Sequence, residues 1–306
     1  MKKLLTTLLI ILFSGQSTFA CTTFASVDGA NQTTLIAKNR DEHPDIQSVV
    51  AFHPNQGYSF LGMVSQQKSD EPYIIRSGIN EYGLAIVNMA TPNPPANASY
   101  ADGDAFMRAV LTQDKTVAEV LGHLPLLIAT HLYPEFYLLA DRTQTASIEL
   151  APQGKYFVTV SNIGPLYHTN NYEFPAFFPN NIGDLEGSTL RYNRISALMN
   201  SNTEYTLNEF KLFSHDHHAG SNDSIFRTGK DLSDPNTPRT LATFIASIPH
   251  NGSAPSVSIE FYPKGCGSPL DCPATTYILN SQFWDFPGTI YILKQDSHSL
   301  KTSQAT

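Results

Sequence analysis

Short β-rich runs, cut by Gly, Asn, Asp or Pro, recur along most of the chain. They predict strands over 22–27, 33–38, 48–52, 73–76 and 84–88. The Pro- and Asn-rich stretch 91–98 predicts a loop. Beyond it, 103–113 reads as a helix, and Thr116 can cap a second one over 117–121. Strands resume at 136–140, 146–150, 156–160 and 166–169. Helical spacing returns at 185–199 and 207–213, and the tail reads as strand at 240–248, 257–261, 275–279 and 289–293. Strands, then helices, then strands imply antiparallel sheets flanked by helices, an α+β class. Gly and Pro are evenly spread and no repeat or linker divides the chain, so 21–306 is expected to form one domain.

The first twenty residues follow another pattern. Lys2 and Lys3 precede an apolar run from Leu4 to Phe13 that only Thr6 and Thr7 break, and small or polar residues lead to Thr18-Phe19-Ala20. A basic start, an apolar middle and small residues at −3 and −1 predict a secretory signal peptide over 1–20. Its apolar run is too short for a lasting membrane span, and no later stretch is apolar enough for one. The expectation is an exported protein, periplasmic or secreted, that begins at Cys21.

With 306 residues, 41% of them hydrophobic, the chain can bury a large core. Its net charge of -8 and lack of a basic block argue against nucleic acid and anionic membrane surfaces as partners. Three cysteines are present. Cys266 and Cys272 bracket the short segment Cys-Gly-Ser-Pro-Leu-Asp-Cys and are expected to form a small disulfide after export, leaving Cys21 as the odd thiol.

Two chemistries want a cysteine at a signal cut. Lipid attachment prefers an aliphatic residue three positions earlier, where this chain has Thr18 followed by bulky Phe19, so a lipid-anchored binding or structural protein is the poorer match. The other chemistry is nucleophilic catalysis. An unperturbed thiol ionises near about 8.5 and an α-amine near about 8. The amine sits beside the sulfur by covalent geometry and can take its proton directly or through one water. Such a site further needs a carboxylate to orient the amine, a cation near the sulfur and donors for an oxyanion.

Candidates for these roles occur at strand and helix ends. Ala37-Lys38-Asn39-Arg40-Asp41-Glu42 carries two cations and two carboxylates. Gly78-Ile79-Asn80-Glu81-Tyr82-Gly83-Leu84 is a turn feeding an apolar strand that ends in Asn88. His168-Thr169-Asn170-Asn171 ends another strand, and Arg191 and Arg194 lie three apart on one helical face. His215-Asp216-His217-His218 is the most metal-like cluster, but neighbouring side chains on a helix diverge, so a polar helix end is the expectation. No Gly-rich phosphate loop and no Gly-x-Ser-x-Gly elbow occur.

An N-terminal Cys-Thr-Thr, an Asn-x-Asp strand end, an Asn-Glu-x-Gly-Leu turn, a Thr-Asn and an Arg-x-x-Arg helix, in this order over nearly the whole mature chain, resemble the cysteine-type linear amide hydrolases. This is the choloylglycine hydrolase family of penicillin V acylases and bile salt hydrolases, with its relatives the acyl-CoA:6-aminopenicillanic acid acyltransferases. Ser224-Ile225-Phe226-Arg227 is also similar to the acyltransferase branch. The resemblance implies a four-layer αββα sandwich, no metal and no organic cofactor. It places the nucleophile on Cys21 and the carboxylate that holds the α-amine on Asp41. It puts the oxyanion asparagines on Asn88 and Asn170, and the arginine near the reaction centre on Arg191, with Arg194 beside it. Bile salt hydrolases carry an arginine just before the Asn-x-Asp. This chain has Lys38 there, with Arg40 inside the motif, so either can fill that role. The implied reaction is hydrolysis of a linear non-peptide C–N amide in a small N-acyl compound: penicillin V, a conjugated bile salt, an N-acyl homoserine lactone or an N-acyl amine. The alternative is acyl transfer to an amine acceptor. The family also allows a homo-oligomer.

Overall fold

The computed structural model describes residues 20–66, 71–92, 94, 100–183, 185–201, 204–231, 233–234, 236–262, 274–285, 290–296 and 299–301. Strands β1 (Thr22–Asp28), β2 (Thr33–Glu42), β3 (Ile46–Phe52), β4 (Phe60–Gln66), β5 (Ile74–Asn80) and β6 (Ala85–Ala90) lead into helices α1 (Tyr100–Gln113) and α2 (Val117–Thr130). Then follow β7 (Glu135–Ala140), β8 (Thr145–Ala151), β9 (Lys155–Ser161) and β10 (Gly164–His168), and helices α3 (Glu186–Asn200) and α4 (Leu207–Ser214). The chain closes with β11 (Arg239–Pro249), β12 (Ser256–Phe261), β13 (Thr275–Ile278), β14 (Ile290–Asp296) and β15 (Ser299–Lys301).

The strands form two antiparallel sheets. One runs β10-β1-β2-β11-β12-β13, the other β15-β14-β3-β4-β5-β6-β7-β8-β9. Their inner faces meet in a core of Ala25, Ile36, Val49, Met63, Val87, Leu138, Phe244 and Ile259. On the outer face of the larger sheet, α1 and α2 bury Phe106, Val110, Leu111, Val120 and Leu124 against Ile75, Ile86 and Ile148. On the outer face of the smaller sheet, α3 and α4 bury Ile195, Met199, Phe210 and Phe213 against Phe24, Leu35 and Ala37. The order of layers is helix, sheet, sheet, helix, the expected αββα sandwich.

Strand alternation decides what faces what. On β1, Phe24 packs under the helices and Ala25 between the sheets. Cys21, just before β1, therefore shares Ala25's inward side and joins Met89, Phe136, Tyr172 and Phe177 in a small cluster at the end of the inter-sheet core. On β2, Ala37 faces the helices, so Lys38 and Arg40 point inward. The β1–β2 turn is built by Asp28, whose Oδ1 accepts from Ala30 N and Asn31 N at 2.9 and 3.1 Å.

Two elements depart from the sequence pattern. Strand β4 lies where no strand was expected, and all seven of its residues are buried, as in β1, β7 and β8. Helix α2 continues past Leu121 to Thr130, through Pro125, because Val117, Val120, Leu124, Leu127 and Ile128 form one buried stripe that outweighs the lost hydrogen bond. Cys266 and Cys272 lie outside the described residues, as do residues 1–19. Among the described residues, no helix is long and apolar enough to cross a membrane.

Phe244 is fully buried between the sheets. Phe244→Ala should lower unfolding free energy by about 3–5 kcal/mol, read from the midpoint of a urea titration with unchanged slope.

Candidate active site

The nitrogen of Cys21 donates to Asn170 Oδ1 at 2.7 Å. Arg191 fixes the same unit from the other side: its Nη1 donates to the Cys21 carbonyl at 2.5 Å and to Thr22 Oγ1 at 3.1 Å, and its Nη2 to Asn170 Oδ1 at 3.2 Å. This is a use of the planar guanidinium fork that an ammonium cannot copy. Asn170 is in turn held by its neighbours. Its N–H donates to Ser188 Oγ at 2.9 Å, and its Nδ2 to the Ala90 carbonyl at 2.8 Å, leaving one amide hydrogen for other partners. The first turn of α3 thus clamps the segment after β10. Burial holds the Arg191 pKa down to about 10, against the pull of Asp41.

Asp41 lies at the end of β2, opposite Thr240 of β11. Its Oδ1 accepts from Thr240 Oγ1 at 2.6 Å, and Oδ2 stands 4.0 Å from Arg227 Nη1 without a hydrogen bond. Burial pushes this carboxyl up to about 6, resisted by Arg227 and Arg191. The nitrogen of Cys21 is therefore tied to Asn170, and Asp41 keeps one buried oxygen unfilled.

Lys38 crosses to the other sheet. The β5–β6 ladder stops at Ser77 and Val87, and β5 carries a bulge at Arg76 opposite Met63 and Val64. The Lys38 ammonium enters the gap so opened. It donates to the Arg76 carbonyl at 2.9 Å and to Asn88 Oδ1 at 2.6 Å. Asn88 Nδ2 donates to Glu135 Oε1 at 2.7 Å, and Tyr137 OH to Glu135 Oε2 at 3.0 Å. Burial lowers the Lys38 pKa to about 8, with Cys21 pulling the other way. Burial raises that of Glu135 to about 7, against Arg76 and the Tyr137 hydrogen bond. Cys21, Lys38, Arg76, Asn88, Met89 and Glu135 line one small solvent-open recess.

Both cations of the Lys-Asn-Arg string line the recess with Cys21. Arg40 makes a bidentate ion pair with Asp45 at 2.8 and 2.6 Å, whereas the ammonium of Lys38 bonds the Arg76 carbonyl and Asn88. Arg194 turns away and pairs with Asp216 at 2.9 and 2.6 Å. His215 bonds Glu260 at 2.7 Å and Tyr262 at 3.1 Å, apart from His217 and His218. Sequence patterning missed Glu135 and Arg76: the first reads as a strand's flanking polar residue, the second as its last.

A model of the family described as acyl-coenzyme A:6-aminopenicillanic acid acyl-transferase matches residues 27–253. Comparison with curated proteins found no match. Among solved structures, an arginine-to-leucine variant of conjugated bile acid hydrolase from Clostridium perfringens is similar with a TM-score of 0.62 at 16% identity, over 93% of this chain and 100% of that one. A cysteine-to-alanine mutant of the same hydrolase gives 0.60 at 16% identity, over 90% and 97%. This likeness establishes the shared αββα fold.

Replacing Arg191 by Met keeps apolar bulk but strips donors from the Cys21 carbonyl, Thr22 and Asn170. The expected cost is about 1–3 kcal/mol of stability, measured by urea unfolding.

Proposed function

Because the chain belongs to the acyl-coenzyme A:6-aminopenicillanic acid acyl-transferase family, we propose that it is an exported amidohydrolase that cleaves a linear C–N bond of an N-acyl compound through a thioester on Cys21. The observation that carries this reading is the setting of Cys21. Its nitrogen and carbonyl are both pinned, by Asn170 and Arg191, while its side chain opens on a recess with Lys38 and Asn88.

Cleavage after Ala20 turns the pinned nitrogen into an α-amine. Donating one N–H to Asn170 orients it and leaves its lone pair free for the thiol proton. Asp41 Oδ2, also on the recess, is the second acceptor open to it. As Cys21 Sγ attacks the amide carbon, the thiol proton passes to the amine and the carbonyl electrons move to oxygen. Lys38 and the spare amide hydrogens of Asn88 and Asn170 are the donors to that oxyanion. Collapse breaks the C–N bond, and the amine's proton goes to the leaving nitrogen. Water, deprotonated by the amine, then displaces the thiol and frees the acid. An acceptor amine in place of water makes the same thioester an acyl transfer.

Arg76 narrows the substrate class. Its Nε is held by Ser65 Oγ at 2.8 Å, and its terminal nitrogens have no hydrogen-bond partner among the described residues. A guanidinium fork on the rim suits a carboxylate. This favours penicillin V or an N-acyl amino acid over a neutral N-acyl amine or lactone.

Intact mass of the exported protein should begin at unmodified Cys21, and Cys21→Ala should lose turnover with an unchanged thermal melt. A lipid-bearing mass, or full activity in Cys21→Ala, ends this reading, and product analysis with added amine separates hydrolysis from transfer. Arg76→Ala should raise KM for a carboxylate-bearing substrate about 10- to 100-fold while leaving KM for its methyl ester within about twofold.

A further inference from the structure

Glu135 is a carboxylate buried under α1 with no role in the chemistry outlined above. It lies diagonally across the β6–β7 ladder from Asn88, since Asn88 pairs with Tyr137 and Ala90 with Glu135. Both of its oxygens are engaged, by Asn88 Nδ2 and Tyr137 OH. Gly103 of α1 leaves it room: a Cβ there would come within 2.4 Å of Oε2. The Tyr137 ring is itself fixed by stacking on Phe106 at 4.3 Å.

An amide can point either end at a given neighbour, and only the nitrogen end can donate to an oxyanion. The two partners of Asn88 remove that freedom. Lys38 can only donate, so it demands the oxygen. An ionised Glu135 can only accept, so it demands the nitrogen. With one amide hydrogen on Glu135, the second remains available to the recess. Protonation of Glu135 removes the anion that draws the nitrogen end and leaves Lys38 alone to set the amide, so the hold on its N–H loosens. The charged and titratable groups around Glu135 are Lys38 from β2, Arg76 from β5, Tyr137 on its own strand and Tyr133 just before it, whose ring also lies against Gly103.

We infer that Glu135 is a positioning residue of the amide-cleaving site, which in its ionised form holds Asn88 with an N–H turned to the oxyanion. It acts through Asn88 and touches no reacting atom. Ionised Glu135 is the working form, so turnover falls as pH drops through its pKa near neutrality. The α-amine must also be unprotonated, so two groups lower turnover on the acid side.

The inference rests on the Cys21 reading, and the same experiment tests both. Wild-type turnover that vanishes in Cys21→Ala secures that reading; with no Cys21-dependent turnover, both fall together. With it secured, the acid limb of log kcat against pH should steepen beyond a slope of about one in wild type and keep a slope of about one in Glu135→Gln, which stands in for the neutral acid and should lower the plateau kcat about 10- to 100-fold. Glu135→Ala should lower kcat about 10- to 100-fold with KM within about twofold. Tyr137→Phe keeps the ring stack but removes a donor to the Glu135 anion, so it should move the limb to higher pH. It also decides the matter if substitution at Glu135 costs the fold. A limb unchanged in slope in Glu135→Gln, or unmoved in Tyr137→Phe, overturns the inference while leaving the Cys21 reading intact.

Discussion

The site is organised by one costly act, the burial of the Lys38 ammonium between two sheets. An ammonium with no partner in such a place is strongly unfavourable, so the surroundings must supply acceptors. They do so by breaking the regularity of the larger sheet. The bulge at Arg76 and the early end of the β5–β6 ladder free a backbone carbonyl and a gap, and Lys38 fills both. Bulges are a common means of re-aiming a side chain beside a site, and this one also turns the Arg76 guanidinium toward the recess. From Lys38 the chain of demands passes to the Asn88 oxygen, the Asn88 nitrogen and Glu135, and ends at Tyr137 stacked in the α1 core. A change on the Cys21 side of the sheet is therefore felt on its helical side.

The layers of the fold were legible in the sequence because most strands are short β-rich runs cut by Gly, Asn, Asp or Pro. Alternation was little guide, since the sandwich covers both faces of β1, β4, β7 and β8. The Phe-Leu-Gly-Met-Val-Ser-Gln of β4, with a glycine inside it and Val64 as its one β-branched residue, went unread. The second helix, expected over 117–121, runs on through Pro125, because a proline's local penalty of about 3 kcal/mol is small beside five buried apolar side chains on that helix. Motifs were legible as positions but less so as jobs. In Asn80-Glu81-Tyr82-Gly83-Leu84, Asn80 shapes the hairpin by accepting from Tyr82 N and Leu84 N, and it ties that hairpin to the end of α1 through the Leu111 and Asp114 carbonyls. Gly83 takes a positive φ of 88°. That motif is architecture that brings β6, and so Asn88, to the right height.

The same distinction runs through the Asn39-Arg40-Asp41 string. Strand alternation sends its members to opposite sides, which no linear motif displays. Asn39 faces the helices and donates to the Ser214 and Ile225 carbonyls, stitching α4 and the following loop to β2. Arg40 faces inward and is consumed by Asp45. Asp41, at the strand's end, reaches Thr240 and the Arg227 side. The partners of Glu135 lie 47 to 97 positions away from it or hide in its own strand, beyond the reach of any local pattern; Asn88, for one, is separated by 47 residues.

Placed together, these groups explain how an acidic chain can favour negative charge at one point. Asp41 feels Arg227, Arg191 and Lys38, and Glu135 feels Arg76 and Lys38. Around each buried carboxyl, cations outnumber it, and burial holds both carboxyls near the pH at which they lose their charge. The recess is lined by three cations, Lys38, Arg40 and Arg76, and three carboxyls, Asp41, Glu42 and Glu135. Arg40 is paired with Asp45, so Lys38 and Arg76 are the cations that face the two perturbed carboxyls. On the proposed reaction, it is the fixed orientation of Lys38 and Asn88, not a surplus of charge, that would favour an oxyanion at this point.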